Sequence, residues 1–302
     1  MATSRFSTGN SIINGTQNVM GAGSLFTTGN VFYVNSTIGN DNNVGTDPLF
    51  PKSTISGAQT AATASQGDIV AVMPGYTETR TAVLTLSKAG VSYVGMGNGL
   101  NRPTITGNAA ADVFSITGAN VLMQNFNFAA PLTDAQTADV NVAAAGVTLR
   151  GLRSIGSVAT ENKTDIITVA SGGDDLLVEN CTAYNTVVDC VSWLSLEAAV
   201  ARPIIRNNIV MGTFSTANLM DEATATLCTI EGNLFKNTKT SGNVATFTTG
   251  NSTGMFAFNM LSGRNTTIAS NLVEGTGMDF FENKVVEEAA LSGLLEPAVD
   301  AE

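Results

Sequence analysis

Apolar and polar positions along this chain repeat as a unit. In residues 113–125 (VFSITGANVLMQN) a short β-type run ends in Gly, and a second such run follows and ends in Asn. The unit recurs from Val140, Ile166, Val191, Leu219 and Val244, with weaker copies from Val83 and Leu272, the second run ending in Asn or Gly. Successive start positions lie 30, 27, 26, 25, 28, 25 and 28 residues apart. A drifting period of this length, made of short strands, marks a solenoid. About 25 residues is too short for a strand-plus-helix repeat and matches a three-strand rung of a parallel β-helix. About eight or nine rungs stacked at about 4.8 Å would form a column about 40 Å long. One copy alone does not decide which side faces in, because Val113, Ser115 and Thr117 alternate with Phe114 and Ile116 and both sets are partly apolar.

Asn recurs at one bend, at Asn125, Asn180, Asn208, Asn233, Asn259 and Asn283, with Gly95 and Gly151 in the same slot. A bend needs a residue that accepts positive φ, which Asn and Gly do. Stacked Asn side chains can also hydrogen-bond to the rungs above and below as a ladder. The residues just after the bend (Phe126, Leu152, Cys181, Ile209, Leu234, Met260) are then expected to stack inside. An ordinary β-sandwich would supply turn signals without this register.

The flanks differ from the repeats. Residues 1–30 are rich in Ser, Thr, Gly and Asn and are expected to be an extended N-terminal arm. Residues 31–68 hold a strand (VFYV, 31–34), a turn-former loop (35–48) and a short Ala-rich helix over 55–64, which together would cap the first coil. Residues 69–283 carry the rungs. In residues 284–302 the pattern of Val285, Val286, Ala289, Ala290 and Leu294 predicts a short helix, with an acidic tail after Pro297. The expected fold is therefore all-β: one single-stranded right-handed parallel β-helix with an N-terminal arm and cap and a short C-terminal helical tail.

Composition narrows the function. Fourteen Lys and Arg against 25 Asp and Glu give a net charge of −11, which disfavours nucleic acid, since a phosphate binder clusters basic side chains. The apolar runs are too short and too interrupted to span a membrane, and the opening residues show no apolar core of a secretory signal. Three cysteines, an odd number, speak against a disulfide framework; Cys181 and Cys228 stand at apolar repeat positions and read as core fillers made in a reducing cytoplasm.

Chemistry is hard to place. Glycoside hydrolysis needs two carboxylates converging on one groove. The candidates are Asp174, Asp175 and Glu179 in one repeat and Asp189, Asp221 and Glu222 in later ones. A β-eliminating lyase needs a strong base beside a cation; ARPIIR (residues 201–206) approaches the Arg-x-Pro-x-x-Arg pattern of pectate lyases but lacks the residue between Arg and Pro. The chain contains no His, which removes imidazole acid–base and metal chemistry and the companion Trp-His motif. The single Trp, Trp193, reads as core or interface, Gly95 to Gly99 (GMGNG) as a rung corner, and Asp41 and Asp47 lack the regular spacing of a Ca²⁺ loop. No catalytic, cofactor-binding or metal-binding residue is assigned, and no cofactor is expected.

The segments FYV, GNDNNVGTDP, QGDIVAVMPGYTET, AGVSYVGMGNGLNRPTITG and ANVLMQNFNF span residues 32–128. In these the chain resembles the opening of phage-encoded right-handed β-helix proteins of the pectate-lyase-like superfamily. The resemblance implies a non-enzymatic virion protein, a capsid decoration or cement protein that seats as a homotrimer on the major capsid protein at the head exterior. A tailspike or tail-fibre receptor-binding protein, or a polysaccharide depolymerase, is the alternative, with a surface glycan as partner. A bacterial adhesin fits less well without a secretion signal.

Overall fold

A computed structural model describes residues 10–13, 16–19, 27–132, 136–156, 163–247, 252–263, 273–275, 277–285 and 293–295; the side chains of 10–13, 16–19, 186–189, 274–275 and 293–295 are outside the description. The repeats form parallel stacks. One sheet has ten strands, from the cap strand Val31–Val34 through Ile69–Val72, Ser92–Gly95 and Leu122–Gln124 to Met278–Phe281. This sheet is the first face of the column. A 16-stranded sheet supplies the other two faces. A typical coil runs Leu122–Gln124 on the first face, Asn127–Phe128 on the second and Val140–Val142 on the third.

Register explains the core. On the first face Tyr93, Met123, Leu149, Val178, Ile205, Ile230 and Phe256 lie one above another and are buried. On the third face Leu84, Phe114, Val140, Ile167, Leu194, Leu219 and Ala245 do the same. Phe114 and Ile116 therefore set the inward parity, while Ser115 and Thr117 point away from the core. Each rung buries its apolar side only by stacking on neighbours, so the hydrophobic term accrues along the whole column.

Two coils depart from the three-strand rung. Thr182–Leu196 (15 residues) and Ile209–Asp221 (13 residues) pass from second to third face without a break. The strand shifts register between Asn185 and Cys190 and again between Cys190 and Ser192, which absorbs the corner.

The cap is a strand, a loop and a helix, as the turn-formers indicate. The helix covers Ile55–Ala61 rather than 55–64. Thr54 caps it, accepting from Gly57 N at 2.9 Å, and Ile55 and Ala58 are its buried residues. Asp41, weighed above as a cation ligand, instead accepts from Ser53 N, Thr54 N and the Thr54 hydroxyl. Burial raises its pKa, and those hydrogen bonds from Thr54 and Ser53 outweigh that and hold it below the usual carboxylate range. Asp47 folds back on Leu49 N at 2.8 Å.

Within the N-terminal arm, Asn10–Ile13 and Thr16–Val19 form an antiparallel pair; the Asn14-Gly15 dipeptide between them is the sequence signal for it. The C-terminal segment corrects the expectation. At the other end Asn283–Val285 continues the second face and pairs antiparallel with Gly293–Leu295. Val285 and Leu294 are therefore strand residues, not positions on one side of a helix. Val285 joins the buried column above Leu261, and that burial outweighs the local helical pattern. Val286, Ala289 and Ala290 lie outside the described residues, as does the tail beyond 295.

Candidate functional site

The carboxylates singled out in the sequence mostly have structural partners. Asp174 Oδ1 accepts from Ala201 N at 2.7 Å, which ties two coils at a corner. Asp175 and Arg202 form an exposed bidentate pair at 2.6 and 2.8 Å; the hydrogen bond and charge of Arg202 hold the Asp175 carboxyl below its ordinary range. Glu179 sits between Arg150 (2.6 Å) and Arg206 (2.8 Å) in the outward column of the first face. Partial burial pushes the Glu179 carboxyl up, and the hydrogen bonds and charges of Arg206 and Arg150 push it further down. Asp221 is buried and accepts from the Ser252 hydroxyl. The side chain of Asp189 is outside the description. Both arginines of the ARPIIR fragment are thus counter-ions of Asp175 and Glu179, so neither is placed as a base. Asp174, Asp175, Glu179 and Asp221 do not meet in one groove.

Glu222 does join other acids. It stands just past the third face one coil beyond Glu197, with Glu222 N bonded to Leu196 O at 2.9 Å. Asp165, on the preceding coil, accepts from the Ser192 hydroxyl at 2.6 Å. Burial, with the charges of Glu197 and Glu222 adding, pushes the Asp165 carboxyl up to about 6. Glu197 is raised by partial burial and by Glu222 and Asp112, and Asp112 is raised by its own burial. No salt bridge to Lys or Arg is found for these four acids among the described residues. Sequence reading named only Glu222 here. The spacing of Glu197 and Glu222 equals the register step from Leu196 to Asp221, a signal that becomes visible once the inward parity is known. Asp165 is buried on the inward side with Ile167, whereas Glu197 and Glu222 are exposed beyond Leu196 and Asp221, so their charges act on Asp165 without the carboxyls sharing one open site. Among the described residues no group of three or more Cys, Asp or Glu is arranged to hold a metal.

A second polar group, missed in the sequence, lies inside the column. Lys163 Nζ donates to Asp139 (2.8 Å), the Ser154 hydroxyl (3.3 Å) and Ile155 O (2.9 Å), while Gln136 Nε2 also donates to Asp139 (2.9 Å). All four side chains are buried. Ser154 takes a place on the second face that Phe128 and Ala183 fill in neighbouring coils. Lys163 Nζ donates in each of these contacts, so the group ties Asp139, Ser154 and Ile155 O together inside the column. The adjoining cavity, lined by Phe128, Ile166 and Trp193 among others, is about 10 Å³, at the lower limit for one water. Trp193 is core, 1% exposed and 5.9 Å from Phe235. Cys181, Cys190 and Cys228 are free and buried, and burial raises the Cys181 and Cys228 thiols to about 12, so none is a ready nucleophile.

The outward side of the second face has a different character. From Asn127 to Lys284 its columns read Asn127, Arg153, Thr182, Ile209, Leu234, Met260, Lys284 and, two residues on, Ala129, Ile155, Tyr184, Met211, Lys236, Ser262. Ile155, Tyr184, Ile209 and Met260 are exposed. The face carries no carboxylate among these residues, although the whole chain has 25 acids.

No protein-family profile and no curated protein matches the chain. Among solved structures, a rhamnogalacturonan lyase aligns over 85% of this chain and 74% of its own, with TM-score 0.51 and 16% identity. Looser alignments join it to a lacto-N-biosidase from Eubacterium ramulus (TM-score 0.42, 11% identity, 85% of this chain, 57% of that one) and an open-reading-frame product of a Geobacillus virus (0.34, 13%, 79% and 59%). The likeness to the lyase is one of fold: a parallel β-solenoid, which this chain shares at an identity too low to carry residues across.

Proposed function

We propose that the chain is a structural virion protein of a tailed phage, a homotrimeric capsid decoration or cement protein on the head exterior. The observation that carries this is the fate of the candidate acids: Asp174, Asp175, Glu179 and Asp221 each hold the column together and leave no catalytic groove between them. The residues 32–128 that resemble phage β-helix proteins supply the virion context, and the continuous stack of strands supplies the stiffness such a part needs. The test is re-addition of purified protein to shells stripped of it. Saturable binding with a raised shell disruption temperature is expected, and shells that neither bind nor gain stability would refute the assignment.

The second reading is a glycan-acting tailspike or depolymerase. It is favoured by the exposed carboxyls Glu197 and Glu222 on successive coils, that of Glu197 raised by partial burial and by the charge of Glu222. Its test moves away from Asp175→Asn and Asp221→Asn, whose targets are structural, to Glu197→Gln and Glu222→Gln. Loss of glycan cleavage in those variants would establish it.

A further inference from the structure

We propose that Lys163 and Asp139 condense, inside the folded column, into an intramolecular isopeptide bond that fastens one coil to the next. Position is the first reason. Gln136 and Lys163 face each other as a parallel bridge between adjacent coils, with Thr164 N bonded to Gln136 O at 2.8 Å. That pairing delivers Lys163 Nζ to the Asp139 carboxyl of the neighbouring coil, at 2.8 Å from Oδ1 and 2.8 Å from Oδ2. An atom equally close to both oxygens stands about 3 Å from the carbon between them, the separation of a near-attack arrangement. The Lys163 side chain is 0% exposed and that of Asp139 2%, so neither turns away into water.

Chemistry is the second reason. Asp139 and Ser154 border a small cavity lined by Phe128, Leu152, Ile166 and Trp193. An ion pair in such surroundings carries a desolvation cost that a neutral amide does not. Two donors already point at the carboxyl: Gln136 Nε2 at Oδ1 (2.9 Å) and the Ser154 hydroxyl at Oδ2. One proton passes from the ammonium to Oδ2, which frees the lone pair of Nζ. Nζ then adds to Cγ, and the charge growing on Oδ1 is met by the Gln136 amide. A second proton follows from nitrogen to Oδ2, by way of the Ser154 hydroxyl. The Cγ–Oδ2 bond breaks and Oδ2 leaves as water. Of the three ammonium protons, two depart in that water and one stays on the amide nitrogen. Carboxylate plus ammonium gives amide plus water, so the step balances without a further reagent. The remaining N–H keeps an acceptor in Ile155 O, 2.9 Å from Nζ. The bond goes beyond the proposed virion role and does not depend on it.

The experiment is mass spectrometry of the purified full chain under denaturing conditions, followed by tryptic mapping. Wild type is expected to weigh less than its sequence requires by the mass of one water. Trypsin is expected to leave Lys163 uncut and to release one branched peptide that contains both Asp139 and Lys163. Lys163→Arg keeps the positive charge but has no primary amine, and it is expected to show no loss of water. The wild-type mass and map decide by themselves, so a variant that fails to fold does not spoil the test. A wild-type chain of full mass, normal cleavage after Lys163, or a lost water that maps to other residues overturns the proposal.

Discussion

Asn208, Asn233, Asn259 and Asn283 are buried side chains whose amides run up the column. Each Nδ2 of the first three donates to the next Oδ1 at 2.9–3.0 Å, and the same oxygens accept backbone N–H groups from the coil before. Asn233→Ala would leave Asn208 N without its acceptor and take from Asn208 Nδ2 one of its two, Val178 O remaining. At about 1–3 kcal/mol for an orphaned buried group, a loss of about 2 kcal/mol is expected in urea unfolding. A change below about 1 kcal/mol would contradict the ladder. The sequence showed the Asn but merged two adjacent slots. Asn125, Gly151, Asn180, Asn207 and Gly232 hold the positive-φ bend (φ 54–65°), and Phe258 and Glu282 take the same slot. The ladder residue is the next one, where Phe126, Leu152 and Cys181 stand in earlier coils. The paired Asn207-Asn208 hides this slip of one. It also reverses Ile209 and Met260, expected inside and found outside.

Asp165 supplies a pH prediction at the same scale. Its folded pKa, about 6, lies above an ordinary aspartate. The folded state therefore holds the proton more tightly, and the associated stability is present below about pH 4 and lost as pH rises toward 6, an effect of up to about 3 kcal/mol. Asp165→Asn should flatten that slope and stabilise the chain at pH 7. Denaturant midpoints at pH 5 and pH 7 measure it, and an unchanged slope in the variant would contradict the assignment.

At the scale of elements, the stacks were legible because short apolar runs recur with a period, and they are legible only collectively. Residues 113–117 alone left the inward side open; Phe114 settles it by standing under Val140 and above Leu84. The unbroken strands Thr182–Leu196 and Ile209–Asp221 could not be read locally, because their corner is turned by a register shift and not by Gly or Pro. Nor could the Lys163–Asp139 pair, whose two residues stand 24 positions apart in polar stretches and meet only across coils. Removing one member of such a pair leaves a buried charge, so Lys163→Met should cost about 3–5 kcal/mol, whereas Lys163→Met with Asp139→Leu should recover much of it. Thermal unfolding of the three proteins decides; equal loss in the single and double variants would mean the pair is not coupled.

For the whole molecule, the proposed role rests on the continuous stack of strands. A column whose strands pair coil on coil is stiff along its axis, as the proposed structural role requires. Deleting residues 1–30 removes the antiparallel pair Asn10–Ile13 and Thr16–Val19 but also the Asn30 contact with Asp68. Such a variant should keep its β-sheet signal yet no longer attach to shells, and undiminished attachment would show that the arm plays no part. The most direct measurement is cryo-electron microscopy of purified particles that carry the chain. Parallel rods repeated over the shell lattice in closed groups are predicted. Rods confined to the tail tip, with a bare shell, would contradict the assignment.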